Sequence, residues 1–333
     1  MKKIIYILCF LLLGVFPLAA DLSGDLAIVG DAGYPASFQY TLGGAKALSA
    51  GYAWTVLGND ANSVFFNPAT LLKIPATALS LSFNALPQDR IQGAAVFAFS
   101  DKAEGSYSTK KPRVFALSGA YQTVRNVDGY NDSGAGTDTL GNSSMLGQFS
   151  FASAFSPSGL LGGWGAGLRV VHENFDGQTV FGAAVNVGGD INIANLLRFG
   201  LSVNNLGLVT GDAGTLYMAP WFSAAAMLNL PMLPVSFVLQ GDKVIGTDQG
   251  FVMRFAAEYR LRIKLGLERY SIEAGIADAA GESIIEIVPR IGLAGKNLHG
   301  GLSLRYNFIE LSYGAGRDPL GGLRHAVSLD IYM

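Results

Sequence analysis

From Phe251 to Glu268 the chain alternates almost without error. Phe251, Met253, Phe255, Ala257, Tyr259, Leu261, Ile263, Leu265 and Leu267 occupy one parity, while Arg254, Glu258, Arg260, Arg262, Lys264 and Glu268 fall on the other. A period of two belongs to an extended strand whose successive side chains point to opposite faces, so this stretch is a ribbon with one oily and one ionic side. At about 3.3 Å per residue it is roughly twice as long as a membrane strand of ~9 to 11 residues. That excess predicts either an overhang beyond a bilayer or a tight turn within the stretch.

The same alternation returns along the chain. Leu79, Leu81 and Phe83 alternate with Ser80, Ser82 and Asn84; Phe115, Leu117 and Tyr121 with Ala116, Ser118 and Gln122; Met145, Phe149, Phe151 and Phe155 with Gln148, Ser150 and Ala152; Trp164, Leu168 and Val170 with Gly165, Gly167 and Arg169. Composition says what the oily faces meet. Of 333 residues 50% are hydrophobic and only 14% charged, and the mean hydropathy is +0.33, yet past the first residues there is no apolar run long enough for a helical span. Apolar residues on alternate positions of many strands reconcile these facts, because a bilayer admits only helices or closed barrels. A soluble sandwich alternates too, with its apolar face inward; the small and polar opposite faces here suit a barrel lumen better.

The start of the chain reads as an export leader over residues 1–20: Lys2 and Lys3, an apolar run from Ile4 to Phe16, then Pro17-Leu18-Ala19-Ala20. The single cysteine, Cys9, falls inside that leader, so the expected mature chain has no thiol for catalysis, disulfides or metal. A net charge of −2 gives no electrostatic footprint for nucleic acid.

Between leader and strands stands TLGGAKALSAGYAWTVLGNDANSVFFNPATLL, Thr41 to Leu72. Its Gly-Ala-Lys-Ala-Leu, Gly-Tyr-Ala and Asn-Asp-Ala-Asn-Ser-Val-Phe-Phe-Asn-Pro-Ala resemble the N-terminal hatch of the FadL-like outer-membrane family, including its UPF0164 and PorV-type branches. The resemblance implies an all-β transmembrane antiparallel barrel with a plug in its lumen, divided as leader 1–20, plug 21–75 and barrel 76–333. Allowing ~9 to 11 residues per span plus connections, residues 76–333 supply about fourteen strands. The stretch from Leu298 to Met333 reads as the closing part of such a barrel, with Val327, Leu329 and Ile331 alternating with Ser328, Asp330 and Tyr332. It departs from the family pattern in ending on Met333 and not on an aromatic residue.

Within the plug, Gly43, Gly44, Gly51 and Gly58 allow close approach in a narrow lumen, and Asn59, Asp60, Asn67, Pro68 and Ala69 join Gly43 and Gly44 as gate residues. The Asn67 amide is suited to satisfying buried backbone groups beside Pro68. The family implies an exported outer-membrane channel for hydrophobic molecules such as fatty acids, in contact with outer-membrane lipid and inserted by the barrel assembly machinery. Arg254, Arg260, Arg262 and Lys264 are candidate partners for a carboxylate head group, with pairing to Glu258 and Glu268 as the structural alternative. PorV-like relatives imply the other function, a scaffold that binds protein cargo or secretion-system proteins.

Enzyme motifs and cofactor fingerprints are missing. His172, His299 and His325 lie far apart, and the chain carries no HExxH, GxSxG, P-loop or dinucleotide motif. Arg169 and Glu173 share a strand face, where an ion pair across a lumen is the simplest role. The polar segment from Asn126 to Asn142, with Asp128, Asp132 and Asp138, lacks the spacing of a calcium loop and reads as a solvated connection. Asp101 to Pro112 is long where strand parity expects a short turn.

Overall fold

The computed structural model describes residues 37–333 apart from 75–76, 88, 102–110, 128–139, 159, 176–177, 195, 212–213, 231–232, 246–250, 266–282 and 319–321. The export leader, the first part of the expected plug and most of the polar segment with its three aspartates therefore lie outside the described residues.

Sixteen strand segments form one antiparallel sheet. They are β1 (Ala78–Leu86), β2 (Arg90–Ser100), β3 (Arg113–Val127), β4 (Leu140–Ala154), β5 (Gly162–Phe175), β6 (Gln178–Ile193), β7 (Leu197–Gly211), β8 (Gly214–Tyr217), β9 (Trp221–Asn229), β10 (Val235–Val244), β11 (Val252–Tyr259), β12 (Leu261–Leu265), β13 (Ser283–Ala294), β14 (Asn297–Tyr306), β15 (Ile309–Arg317) and β16 (Leu323–Tyr332). Neighbours in sequence pair in turn, and β1 pairs with β16 from Ala78↔Tyr332 to Ala85↔His325, which closes the wall. The short β8 pairs with β7 off this path, and β11 and β12 run as a single strand along β13, so the wall has fourteen strands. The long Asp101–Pro112 connection does not alter this number, because β2 and β3 pair directly over their full facing length.

Among its described residues, Phe251 to Leu265, the long alternating stretch contains no tight turn. β11 pairs Glu258 with Arg290 and β12 pairs Leu261 with Ile287, so one register runs through both. Pro289 faces the interruption, and a proline has no N–H to give to the ladder. β12 extends beyond the start of β10, whose pairing with β11 ends at Val235↔Tyr259, and is paired there with β13. The overhang absorbs the extra length.

Alternation sorts each strand into an oily outside and a small or polar inside. On β3, Leu117 is 65% exposed while its neighbours Ala116 and Ser118 are 3% and 5% exposed. Phe83, Phe149, Leu168 and Phe181 likewise stand outward, more than half exposed. Near the end of the barrel that carries the C-terminus, Phe115, Phe151 and Trp164 pack across β3, β4 and β5 with ring centroids 5.1 and 5.5 Å apart, an aromatic row suited to a membrane interface. Soluble monomers rarely expose a continuous apolar surface of this extent, whereas the outside of a membrane-spanning barrel requires one.

Residues 37–74 lie inside this wall. They form three 3-10 turns (Ser37–Thr41, Ala61–Phe65 and Pro68–Lys73) and one short helix, α1 (Gly44–Ser49). Three of the four starts have a local cause. Gly43 has φ 122° ahead of α1, a conformation costly for any residue with a Cβ. The Asp60 side chain accepts from Ser63 N ahead of Ala61–Phe65, and Asn67 accepts from Ala69 N ahead of Pro68–Lys73, where proline stands at the favoured first position. Trp54, Phe65, Phe66, Leu48 and Leu71 are almost wholly buried, so the centre of the molecule is this inner segment rather than wall side chains.

Candidate functional site

The inner segment is held to the wall by three kinds of contact. The first is steric. A Cβ added at Gly165 of β5 would lie 2.5 Å from the Pro68 carbonyl carbon, and one at Gly292 of β13 would lie 2.2 Å from that of Ala50. Gly314 of β15 stands in the same relation to Ala45 O, at 2.3 Å. Wall glycines thus let backbone meet backbone at several points of the circumference.

The second is a set of amide hydrogen bonds. Asn67 is fully buried; its Nδ2 donates to Thr55 O (2.9 Å) and Gly189 O of β6 (3.0 Å), while its Oδ1 accepts from Ala69 N (3.1 Å). One side chain therefore joins two parts of the inner segment to the wall. Gln240 of β10 repeats the pattern, accepting from Thr55 N (3.0 Å) and donating to Tyr52 O (3.2 Å). Buried Arg169 donates to Gln39, to Gln148 and, at 2.8 Å, to Asn205, so amides of the inner segment and the wall share a guanidinium.

The third is ionic. Lys46 of α1 is 1% exposed, with Nζ 2.8 Å from Glu310 of β15, 2.9 Å from Asp330 of β16 and 3.9 Å from Asp60. Tyr332 Oη donates to Glu310 (3.0 Å), and Ser80 donates to Asp330. Three carboxylates crowd one ammonium out of water. Burial pushes the Asp60 carboxyl up to about 7; Lys46 opposes the shift, while Asp330 and Glu310 reinforce it. The folded state therefore holds the Asp60 proton more tightly than the unfolded chain does. Its stabilising contribution is complete below the ordinary aspartate range and is lost as pH rises through about 7. The protection factors of residues 44–66, which are corrected for the intrinsic base catalysis of exchange, should accordingly fall between pH 5 and 8 in the native barrel and lose most of that dependence in Asp60→Asn. An unchanged profile in the variant would place the titration elsewhere.

At the end of the barrel that carries the C-terminus, the inner segment and β6, β7, β9, β10, β11 and β12 line an open-mouthed pocket of about 850 Å3. Leu57, Leu72, Met227 and Leu230 give it an apolar lining. Lys73, Arg198, Arg260 and Arg262 bring cations, and Asp190 and Glu258 bring carboxylates. Lys73 Nζ lies 3.3 Å from Asp190 Oδ1 and also donates to Val56 O; Arg198 Nε lies 3.7 Å from Asp190 Oδ2. Burial pulls the Lys73 ammonium down to about 8, with Arg198 adding to the shift and Asp190 opposing it. On the facing wall, Glu258 binds Arg290 (2.6 Å) and Arg260 (2.7 Å), and Glu286 lies 3.2 Å from Arg260 and 3.5 Å from Arg262.

These contacts place the residues singled out in the sequence. Gly43, Gly44, Asp60, Asn67, Pro68 and Ala69 are buried in the inner segment, and Asn59 lines the cavity. Arg260 and Arg262 also line the cavity, whereas Arg254 lies away from it, bonded to Asp242 and to Gly51 O (2.9 Å). The side chain of Lys264 lies outside the described residues. Lys73, Asp190 and Arg198 were not singled out in the sequence. They come from three separate elements, which no local sequence pattern brings together.

A closed antiparallel wall of fourteen strands with an oily exterior is a membrane-spanning β-barrel. No protein-family model matches the sequence, and no curated protein matches it. Among solved structures it is similar to a Pseudomonas aeruginosa FadL homologue (TM-score 0.52, 8% identity, covering 87% of this chain and 98% of that one). It is similar also to a deltaS2S3 mutant of TodX, a monoaromatic hydrocarbon channel (TM-score 0.50, 10% identity, 87% and 99% covered). The fold is that of FadL-type barrels.

Proposed function

We propose that the protein is an outer-membrane channel for the passive uptake of hydrophobic small molecules, with long-chain fatty acids as its substrate class. The cavity is the observation that supports this most. Its apolar lining beside Arg198, Arg260 and Arg262 matches a ligand with a long chain and an anionic head, and its volume falls in the ~300–1,000 Å3 range of small-molecule sites. The inner segment is the gate in this reading, and Gly43, Gly44, Asn59, Asp60, Asn67, Pro68 and Ala69 are the residues that seat it. The FadL homologue and the hydrocarbon channel among the structural neighbours agree with a hydrophobic cargo.

Saturable binding of a fluorescent fatty acid to purified barrel, together with altered uptake into proteoliposomes when residues 21–75 are deleted, is the expected result. No saturable binding and unchanged uptake would dispose of the transport reading. A second reading, a PorV- or UPF0164-type scaffold for secretion-system proteins, draws on the dense filling of the described lumen by Trp54, Phe65, Phe66 and Leu71. Specific co-purification of secretion components with a barrel that binds no acyl chain would favour it.

A further inference from the structure

Near the rim opposite the C-terminus, the lipid side of the wall carries a polar cluster that has no part in the lumen. β15 ends at Arg317 and β16 begins at Leu323, and the register pairs Arg317 with Leu323, Ala315 with His325 and Tyr313 with Val327. All six share the outward face, on which His325 stands diagonally between Tyr313 and Arg317. Tyr313 Oη and His325 Nδ1 are 2.8 Å apart, and their rings stack with centroids at 6.2 Å. The residues level with His325 on its two neighbouring strands are Ala315 and Ala85, so the imidazole stands in a shallow notch between larger outward side chains such as Phe83, Leu323 and Val327.

Charge at this rim is uncompensated. The Arg317 side chain is exposed and has no hydrogen-bond or ion-pair partner among the described residues, and the exposed Lys296 side chain on the β13–β14 turn has none either. Asp318 follows Arg317 in the chain but points into the barrel, where it is buried against Arg90 and Arg324. A charged group on the lipid face is tolerated only near the interface, where a long side chain reaches the head groups. The rim supplies that depth.

We propose that Arg317 and His325, with Tyr313 behind them, form a binding site for the phosphate of a lipid head group. The guanidinium fork holds two phosphate oxygens, while Tyr313 Oη donates to Nδ1 so that the imidazole presents Nε2–H to the same group. Tyr313 is thus a positioning residue, fixing the tautomer and ring plane. Lys296 adds attraction from the neighbouring turn. A lipid fits better than a free anion because its chains continue from the phosphate down the same face, over Val327, Tyr313 and Leu302. The site lies outside the wall and stands or falls independently of the channel reading.

Dimyristoyl phosphatidate and dimyristoylglycerol have the same chains and differ in the phosphate, so native mass spectrometry of the purified barrel with each lipid isolates the head-group contribution. Phosphatidate is expected to bind about tenfold more tightly. Arg317→Gln should remove most of that preference, and His325→Phe should reduce it while leaving dimyristoylglycerol binding unchanged. In Tyr313→Phe, nitrogen NMR should show the His325 ring passing from one tautomer to a mixture. Lys243→Gln, which removes another outward cation from β10, should change nothing. Equal affinity for the two lipids, an undiminished preference in Arg317→Gln, or the same loss in Lys243→Gln overturns the site. Displacement of phosphatidate by inorganic phosphate at equal concentration also overturns it, leaving an adventitious anion only. A changed oligomeric state in Arg317→Gln with lipid binding intact would assign the patch to a second copy of the chain. The comparison of lipids on the native protein needs no variant to fold.

Discussion

Replacement of Lys46 by methionine is expected to destabilise the barrel by roughly 3–5 kcal/mol, the cost of removing one partner from a buried ionic group and leaving the other uncompensated. Methionine keeps most of the side-chain volume, so packing loss is a minor part of that figure. What remains is Glu310, Asp330 and Asp60, all nearly inaccessible, facing one another without the ammonium that stood 2.8 and 2.9 Å from the first two. Urea unfolding of the detergent-solubilised protein measures the loss, and hydrogen exchange over residues 44–66 locates it. Adding Asp330→Asn to the variant should recover part of the loss by removing one charge. Wild-type stability in Lys46→Met would mean that the cluster holds nothing in place.

Valine in place of Gly165 or Gly292 is expected to unseat the inner segment while sparing the wall. Both added side chains run into backbone, the Pro68–Ala69 peptide in one case and the Ala50–Gly51 peptide in the other, which cannot rotate away as a side-chain tip can. Overpacking of this kind costs about 1–3 kcal/mol per site, and the two sites touch different parts of the segment, so their effects should add. Protection from exchange should fall across residues 44–74 and persist in β1 to β7. Gly189→Ala is the internal control: a Cβ there meets nothing within 4 Å, and the substitution should stay within about 0.5 kcal/mol. Equal effects at Gly165 and Gly189 would refute the steric account.

The wall was legible because period-two alternation is a local property. Leu117 beside Ala116 and Ser118 reveals its face without knowledge of any partner strand, and length alone led to fourteen spans. The continuity of β11 and β12 was not legible, since it depends on Pro289 arriving opposite the interruption from some thirty residues downstream. The polar contacts divide in the same way. Asn67 could be read as a backbone-satisfying residue because Pro68 follows it and the cap is local. Lys46 gave no such hint, since its partners Glu310 and Asp330 lie more than 260 positions away and are brought near only when the barrel closes. Arg254 looked equivalent to Arg260 and Arg262 by parity, yet its depth along the strand gives it Asp242 and Gly51 instead of the cavity.

The seam between β1 and β16 joins the two extremes of the wall, and both of its edges are also gripped from within. Asn62 bonds Ser80 (2.7 Å), Ala45 N bonds Ser328 (2.8 Å) and Lys46 pairs with Asp330 (2.9 Å). Bringing such distant stretches together is the slowest kind of step in folding, because chain entropy is lost before any contact compensates. Contacts from one inner segment to both edges add stabilisation that is complete only when the edges stand side by side. The two ends of the wall are thus clamped to one another twice, once by their own ladder and once through a shared inner support.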